Sequence, residues 1–144
     1  MNKGQRTASR IFLFAGIYGI VALLPQYFLE TRIGVDYPPP ITHPEHFYGF
    51  IGVALAWQFA FLVIARDVVR YRLLMLPAMA EKLAFGIPAW VLFIEDRAAT
   101  AVAVAGSVDL ALAALFGLAF HFARADRKND APPVASRGVQ GRAR

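Results

Sequence analysis

Cysteine is absent from the 144 residues. That excludes disulfides, thiolate metal sites, iron–sulfur ligation and any redox relay through thiols. Charge is scarce as well: Asp, Glu, Lys and Arg make up 17% of the chain, against about 25% in soluble domains. No Ser/His/Asp set, glycine-rich phosphate loop or zincin motif occurs. No internal repeat is present, so an inverted-repeat transporter has no support from the sequence. The interiors of the apolar segments hold no pair of histidines, which leaves no bis-histidine haem site between helices.

What the chain has in excess is apolar surface. Hydrophobic residues make up 58% and aromatics 13%, with a mean hydropathy of +0.48. Soluble domains sit near 45–50% apolar, and one of this length has too little interior to hide the surplus. The composition therefore points to a membrane as solvent and excludes disorder over roughly the first 125 residues. The formal charge of +5 and pI of about 10.0 raise nucleic acid as a partner. No basic face with interleaved aromatics exists outside the apolar spans, so nucleic-acid binding is set aside.

A helix needs about 20 mostly apolar residues to cross a bilayer. Four stretches qualify: Ile11 to Leu29, Phe47 to Ala65, Leu73 to Ile94 and Ala98 to Phe122. The reading is an all-α, four-transmembrane-helix bundle over residues 1–124, followed by a basic cytoplasmic tail over 125–144 that is expected to be disordered. The first span resembles a signal peptide because Lys3, Arg6 and Arg10 precede it. It is long for one, lacks a small-x-small cleavage site and ends in Pro25-Gln26-Tyr27-Phe28, so it is read as retained.

The charges outside the spans alternate in sign: +3 before the first, −2 and +2 in the next two connections, −1 in the third and +4 in the tail. Positive segments face the cytoplasm, so both termini are expected there. Arg outnumbers Lys twelve to three and Ala is abundant, which fits a GC-rich bacterial genome and hence the bacterial inner membrane. Tyr27, Phe28, Tyr37, Phe47, Tyr48 and Trp90 fall near the outer interface and Tyr71 near the inner one, as amphipathic rings prefer. Trp57 departs from this pattern, near the middle of span two.

The connection from Glu30 to His46 is the longest. Pro38-Pro39-Pro40 stiffens it in an extended form, fit to lie across the bundle mouth or to present an edge to a partner. Thr42 or Glu45 is placed to cap span two, with Pro44 at or just before its start. His43 and His46 flank Glu45, a zinc-type ligand set whose spacing matches no standard metal motif. No metal site is therefore assigned from sequence.

Charges inside spans are rare, because each costs about 2.5–3.5 kcal/mol at a helix centre on insertion scales. Glu81 and Lys82 lie in span three, Asp109 near the middle of span four and Gln58 near the middle of span two, all at similar depth. Adjacent residues point about 100° apart on a helix, so Glu81 and Lys82 both face the interior only if one looks at span two and the other at span four. The simplest arrangement pairs Lys82 with Asp109, or Glu81 with Gln58 if the carboxyl is protonated. These residues form either a network that fixes helix register or a proton, ion or ligand site with Trp57 as one wall. Pro77 and Pro88 in span three each remove a backbone donor, and Pro88 frees the Ala84 carbonyl, a plausible cavity wall.

Small residues recur every fourth position along span four: Ala101, Ala105, then Ala113 and Gly117, with Asp109 in their midst. Span two repeats the device with Gly52, Ala56 and Ala60. Such stripes let helices approach closely, either on each other or on a partner subunit.

Asp36-Tyr37-Pro38-Pro39-Pro40, followed by His46-Phe47-Tyr48-Gly49-Phe50 and Trp57-Gln58, is a distinctive run. It is similar to small four-span bacterial membrane proteins of the DoxX-like size class. It also distantly resembles the EXPERA group, which includes sterol isomerases and carries a Glu-x-x-x-Gln in its second helix. Gln58 matches that Gln, while Ala54 stands where the Glu belongs, so the acid central to that group's ligand site is missing. The resemblance covers about a third of the chain and implies a bundle with an apolar ligand site.

The leading expectation is a non-enzymatic subunit that packs in a larger membrane assembly or on itself, with the lipid bilayer as its constant partner and no cofactor. The alternatives are a bundle that binds a small apolar, lipid- or sterol-like ligand, or an isomerase of that type, and a small proton-coupled transporter. No substrate, partner or oligomeric state is written in the residues.

Overall fold

The computed structural model describes residues 1–124. The expected tail over 125–144 lies outside the described residues. Among them the chain forms five α-helices and no strand: α1 (Lys3–Leu23), α2 (Glu30–Asp36), α3 (Pro44–Arg66), α4 (Met75–Ile94) and α5 (Thr100–Phe122). Short 3-10 turns, Leu24–Phe28 and Arg72–Leu74, extend α1 and precede α4. Four of these segments are long and apolar enough to cross a membrane, so the membrane bundle expected from composition is present in outline.

The helix ends differ from the expected ones for identifiable reasons. α1 starts at Lys3 rather than near Ile11, because Asn2 caps it. Asn2 Oδ1 accepts from the Gln5 amide at 2.8 Å and the Asn2 amide donates to Gln5 Oε1 at 3.0 Å, a reciprocal capping box. Lys3, Arg6 and Arg10 therefore lie on the helix and not before it. Pro25 lacks an N–H, and from Leu24 the chain tightens into the 3-10 turn. Glu30 to Asp36 is helical rather than part of an extended loop.

α3 starts at Pro44 as expected of proline at a first helical position. Its N-cap is His43, which makes no side-chain cap, rather than Thr42 or Glu45. Pro77 falls in the first turn of α4, where its missing donor has no helical partner to lose. Pro88 lies inside α4. Pro88 and Ala84 are both exposed, while α4 lines the interior hollow through Glu81, Lys82, Phe85 and Leu92.

α4 ends in a tight reversal. The Arg97 amide donates to the Leu92 carbonyl at 2.8 Å and the Asp96 amide to the Phe93 carbonyl at 3.1 Å. This is the Schellman pattern, with Asp96 at φ 56° in the position usually given to glycine.

Packing follows an open sequence: α3 against α1, α1 against α5, α5 against α4. The backbones of α3 and α4 stand farther apart, and the two helices meet through side chains such as Phe50 and Phe85. Gly4 lies beside Phe122, and Ser9 Oγ donates to the Ala65 carbonyl at 2.6 Å. Residues 4, 65 and 122 therefore share one end of the bundle, called here the terminal end.

The core fills that half. Phe12 stacks on Phe116 with ring centroids 4.2 Å apart. Phe61 meets both edge-on, at 6.0 and 5.0 Å. Ala8, Ala15, Ile64, Met75, Ala78 and Ala119 close around them. Arg72 ties this end together by donating from Nε to the Phe120 carbonyl at 2.9 Å.

Two glycine contacts set the helix distances. A Cβ on Gly16 would lie 2.7 Å from Leu62 and one on Gly19 would run into the Gln58 side chain, so α1 and α3 meet closely only because neither residue has one. Gly86 of α4 and Gly106 of α5 face each other in the same manner: a Cβ on Gly86 would sit 3.0 Å from the Gly106 carbonyl oxygen.

Candidate functional site

Above the aromatic core the bundle is hollow. α1, α3, α4 and α5 line a half-open cavity of about 900 Å3, at the upper end of the size range of small-molecule sites. Its walls are mostly apolar or small: Gly19 and Ala22 from α1, Phe50 and Ala54 from α3, Phe85 and Leu92 from α4, Ala101, Ala105 and Val108 from α5. Ile33, Asp36, Tyr37 and Pro38 cover the far end, opposite Arg97, Ala98 and Ala99. Of the proline run, Pro38 lines the cavity and Pro40 a smaller hollow beside α2. α2 is held there by Tyr48 of α3, whose hydroxyl donates to Glu30 Oε2 at 2.6 Å. The smaller hollow, of about 190 Å3, lies between α2 and Pro40–Ile41; it is a gap under the loop, remote from the intramembrane charges.

The polar groups gather within the cavity, towards the aromatic core. Lys82 is the centre: Nζ lies 3.2 Å from Asp109 Oδ1 on α5 and 3.2 Å from Glu81 Oε2 on its own helix. The ammonium also sits 5.4 Å from the centroid of the Phe61 ring, a cation–π contact that joins it to the core below. Lys82 is buried, while the two carboxylates are partly open to the cavity. One ammonium therefore serves two carboxylates. Glu81 Oε2 is shielded from solvent and accepts no hydrogen bond. Its approach to Lys82 Nζ is an ion-pair contact off the direction a hydrogen bond needs.

Each residue singled out from the sequence has a definite place. Lys82 pairs with Asp109 as expected. Glu81 turns to Lys82 rather than to Gln58, because the lysine tip swings back far enough to reach the neighbouring carboxylate. Gln58 donates from Nε2 to the Ala54 carbonyl of its own helix at 2.8 Å and lines the cavity from α3. Trp57 is not among the lining residues. It packs beside Phe61, 6.2 Å between centroids, on the core side.

The small-residue stripe of α5 divides. Ala101, Ala105 and Asp109 line the cavity, Ala113 is buried, and Gly117 is half-buried near Met79. The stripe of α3 does not meet it: Ala56 is exposed, and Gly52 and Ala60 are half-buried. α3 instead meets α1 through Gln58 and Leu62. Sequence reasoning missed the glycines that set the close contacts, Gly16, Gly19, Gly86 and Gly106. Their signal was present as glycine inside apolar helices, where it costs about 1 kcal/mol relative to alanine and calls for a packing reason.

Taken together, the arrangement offers apolar walls for a chain or ring system, with Glu81, Lys82 and Asp109 grouped towards the core and Asp36 and Arg97 at the far end. No family model, curated protein or solved structure matches this chain.

Proposed function

We propose that the chain is a multi-pass protein of the bacterial cytoplasmic membrane that binds an amphiphilic, lipid- or sterol-like molecule between its helices. The observation that carries this reading is the 900 Å3 apolar cavity with Glu81, Lys82 and Asp109 grouped within it. The apolar body of the ligand lies along Phe50, Phe85 and Val108. Its polar end meets the Glu81 and Asp109 carboxylates, which are partly open to the cavity. A wholly buried network that only fixed register would leave no such volume beside it.

Two further points support the reading. Ala54 and Gln58, the positions that the EXPERA resemblance aligns with the acid and the amide of a ligand site, both line this cavity. α3 and α4 have few backbone contacts, and the Phe50 and Phe85 rings bridge them with centroids 5.7 Å apart, so parting of these two rings offers a route from the bilayer. The alternating loop charges support a cytoplasmic terminal end, so the cavity lies in the outer half of the membrane.

The test is purification in mild detergent followed by native mass spectrometry that retains small molecules. A stoichiometric adduct of lipid-like mass, lost in Ala105→Trp and weakened in Glu81→Gln, is the expected result. A chain with no adduct, which also takes none from an added bacterial lipid extract, would sink the proposal.

One observation favours a second reading, the accessory subunit. Gly49 has open space around it and Ala56 is exposed, so these two positions of α3 leave room for another helix, while Gly52 of the same stripe is covered by Tyr27. The same spectra decide it: stoichiometric company from another membrane protein, lost in Ala56→Leu, supports that role.

A further inference from the structure

The connection between α2 and α3 carries a separate constellation, outside the cavity. His43, Glu45 and His46 each offer one ligand atom, and the three atoms lie within 4.8 Å of one another. We propose that these residues form a binding site for a divalent transition-metal ion of the zinc type.

The geometry is that of donors converging on a shared point. His43 Nδ1 lies 3.0 Å from Glu45 Oε1. His46 Nε2 approaches the same oxygen at 4.0 Å, and the two imidazole centroids are 5.5 Å apart. Zinc holds nitrogen and oxygen ligands at 2.0–2.2 Å in a tetrahedron, which sets donor pairs roughly 3.3 Å apart. The observed separations bracket that value. All three side chains are exposed, at 69%, 65% and 82%, so small side-chain rotations close the set without moving the backbone.

The backbone beneath is fixed. Pro44 holds φ at the first helical position. The His43 carbonyl accepts from the amides of His46 and Phe47, at 3.1 and 3.3 Å, which sets the His43-to-His46 spacing across one turn. Two residues on, Tyr48 is anchored to Glu30 and stacks on Tyr27 at 5.8 Å.

Two imidazoles and one carboxylate select a borderline ion over the hard cations. Mg2+ and Ca2+ prefer sets made of oxygen, whereas Zn2+, Co2+, Ni2+ and Cu2+ accept nitrogen. Three protein donors leave a fourth position to water. An exposed His–Glu pair adds little by itself, so these contacts leave the three donors free to turn onto an ion.

The experiment uses the full chain in detergent, prepared without a polyhistidine tag and stripped with chelator. It is titrated with Zn2+ by calorimetry and with Co2+ by visible absorption. The expected result is one ion per chain, a Co2+ spectrum of a four- or five-coordinate nitrogen–oxygen site, and no competition from a hundredfold excess of Mg2+ or Ca2+. His46→Ala and Glu45→Gln should each weaken binding roughly tenfold or more, given that loss of even outer-shell partners costs 10–100-fold. His121→Ala, at the opposite end of α5, should leave binding unchanged. Absence of stoichiometric binding overturns the site, as does binding that survives in a His43→Ala/His46→Ala chain whose circular dichroism is that of the parent. Both outcomes are independent of whether the cavity binds a lipid.

Discussion

Lys82 Nζ lies 3.2 Å from Asp109 Oδ1 across the α4–α5 contact, and an equal distance from Glu81 Oε2 beside it. A single ammonium thus holds two carboxylates inside an apolar bundle. Removing it leaves two like charges without a partner. Lys82→Met should lower stability by about 3–5 kcal/mol, the cost of breaking a buried pair from one side. Adding Glu81→Gln and Asp109→Asn should recover much of the loss. The measurement is the thermal unfolding midpoint in detergent. A Lys82→Met chain as stable as the parent would show that the pairing contributes nothing.

Gly106 and Gly49 make a contrasting pair for helix packing. A Cβ on Gly106 would lie 2.8 Å from the Ala89 Cβ, while one on Gly49 meets nothing within 4 Å. Gly106→Ala should therefore force α4 and α5 apart and cost about 1–3 kcal/mol. Gly49→Ala should be neutral or stabilising by up to about 1 kcal/mol, from helix propensity alone. Equal effects of the two changes, read by denaturant or thermal melts, would contradict the described α4–α5 contact.

Ala105 and Ala113 separate cavity from core along one helix. Ala105 lines the cavity and Ala113 is buried. Ala105→Leu should leave the melting midpoint nearly unchanged and reduce uptake of a lipid-like probe. Ala113→Leu should overpack the bundle at a cost of about 1–3 kcal/mol. A stability loss at Ala105 as large as that at Ala113 would mean that the region around Ala105 is filled by protein.

Asp96 adopts φ 56° at the end of α4. The left-handed region disfavours residues with a Cβ, Asp less than most. Asp96→Gly should stabilise the chain by about 0.5 kcal/mol, and Asp96→Val should destabilise it by about 1–2 kcal/mol. Amide hydrogen exchange in the last turn of α4 reports the change locally; identical exchange in both variants would argue against the Schellman ending.

The Phe12–Phe61–Phe116 cluster closes the terminal half. Phe61→Ala removes a fully buried ring and should cost about 3–5 kcal/mol. It also takes away the face beneath Lys82 Nζ, so it should weaken the ion cluster more than Trp57→Ala, whose ring is only partly buried. Infrared bands of the carboxylates in the two variants test the difference.

Some of this was legible in the residues themselves. Long apolar runs separated by charged connections determine the four long helices, because a backbone in hydrocarbon must satisfy its own hydrogen bonds. Charges inside those runs had to face protein, and Lys82 with Asp109 follows from depth and sign alone. Tertiary structure decided the rest. The periodicity of α3 marks Gly52, Ala56 and Ala60 as a packing face, yet α3 meets α1 through Gln58 and Leu62, because Gly16 and Gly19 leave room only there. Glu81 chose Lys82 over Gln58 because a flexible lysine reaches a carboxylate that helix geometry alone turns away from it. The cavity itself has no sequence signature. It exists because α3 and α4 stand apart above a filled aromatic core, and a gap between helices depends on which faces meet, a property of pairs that no single helix records.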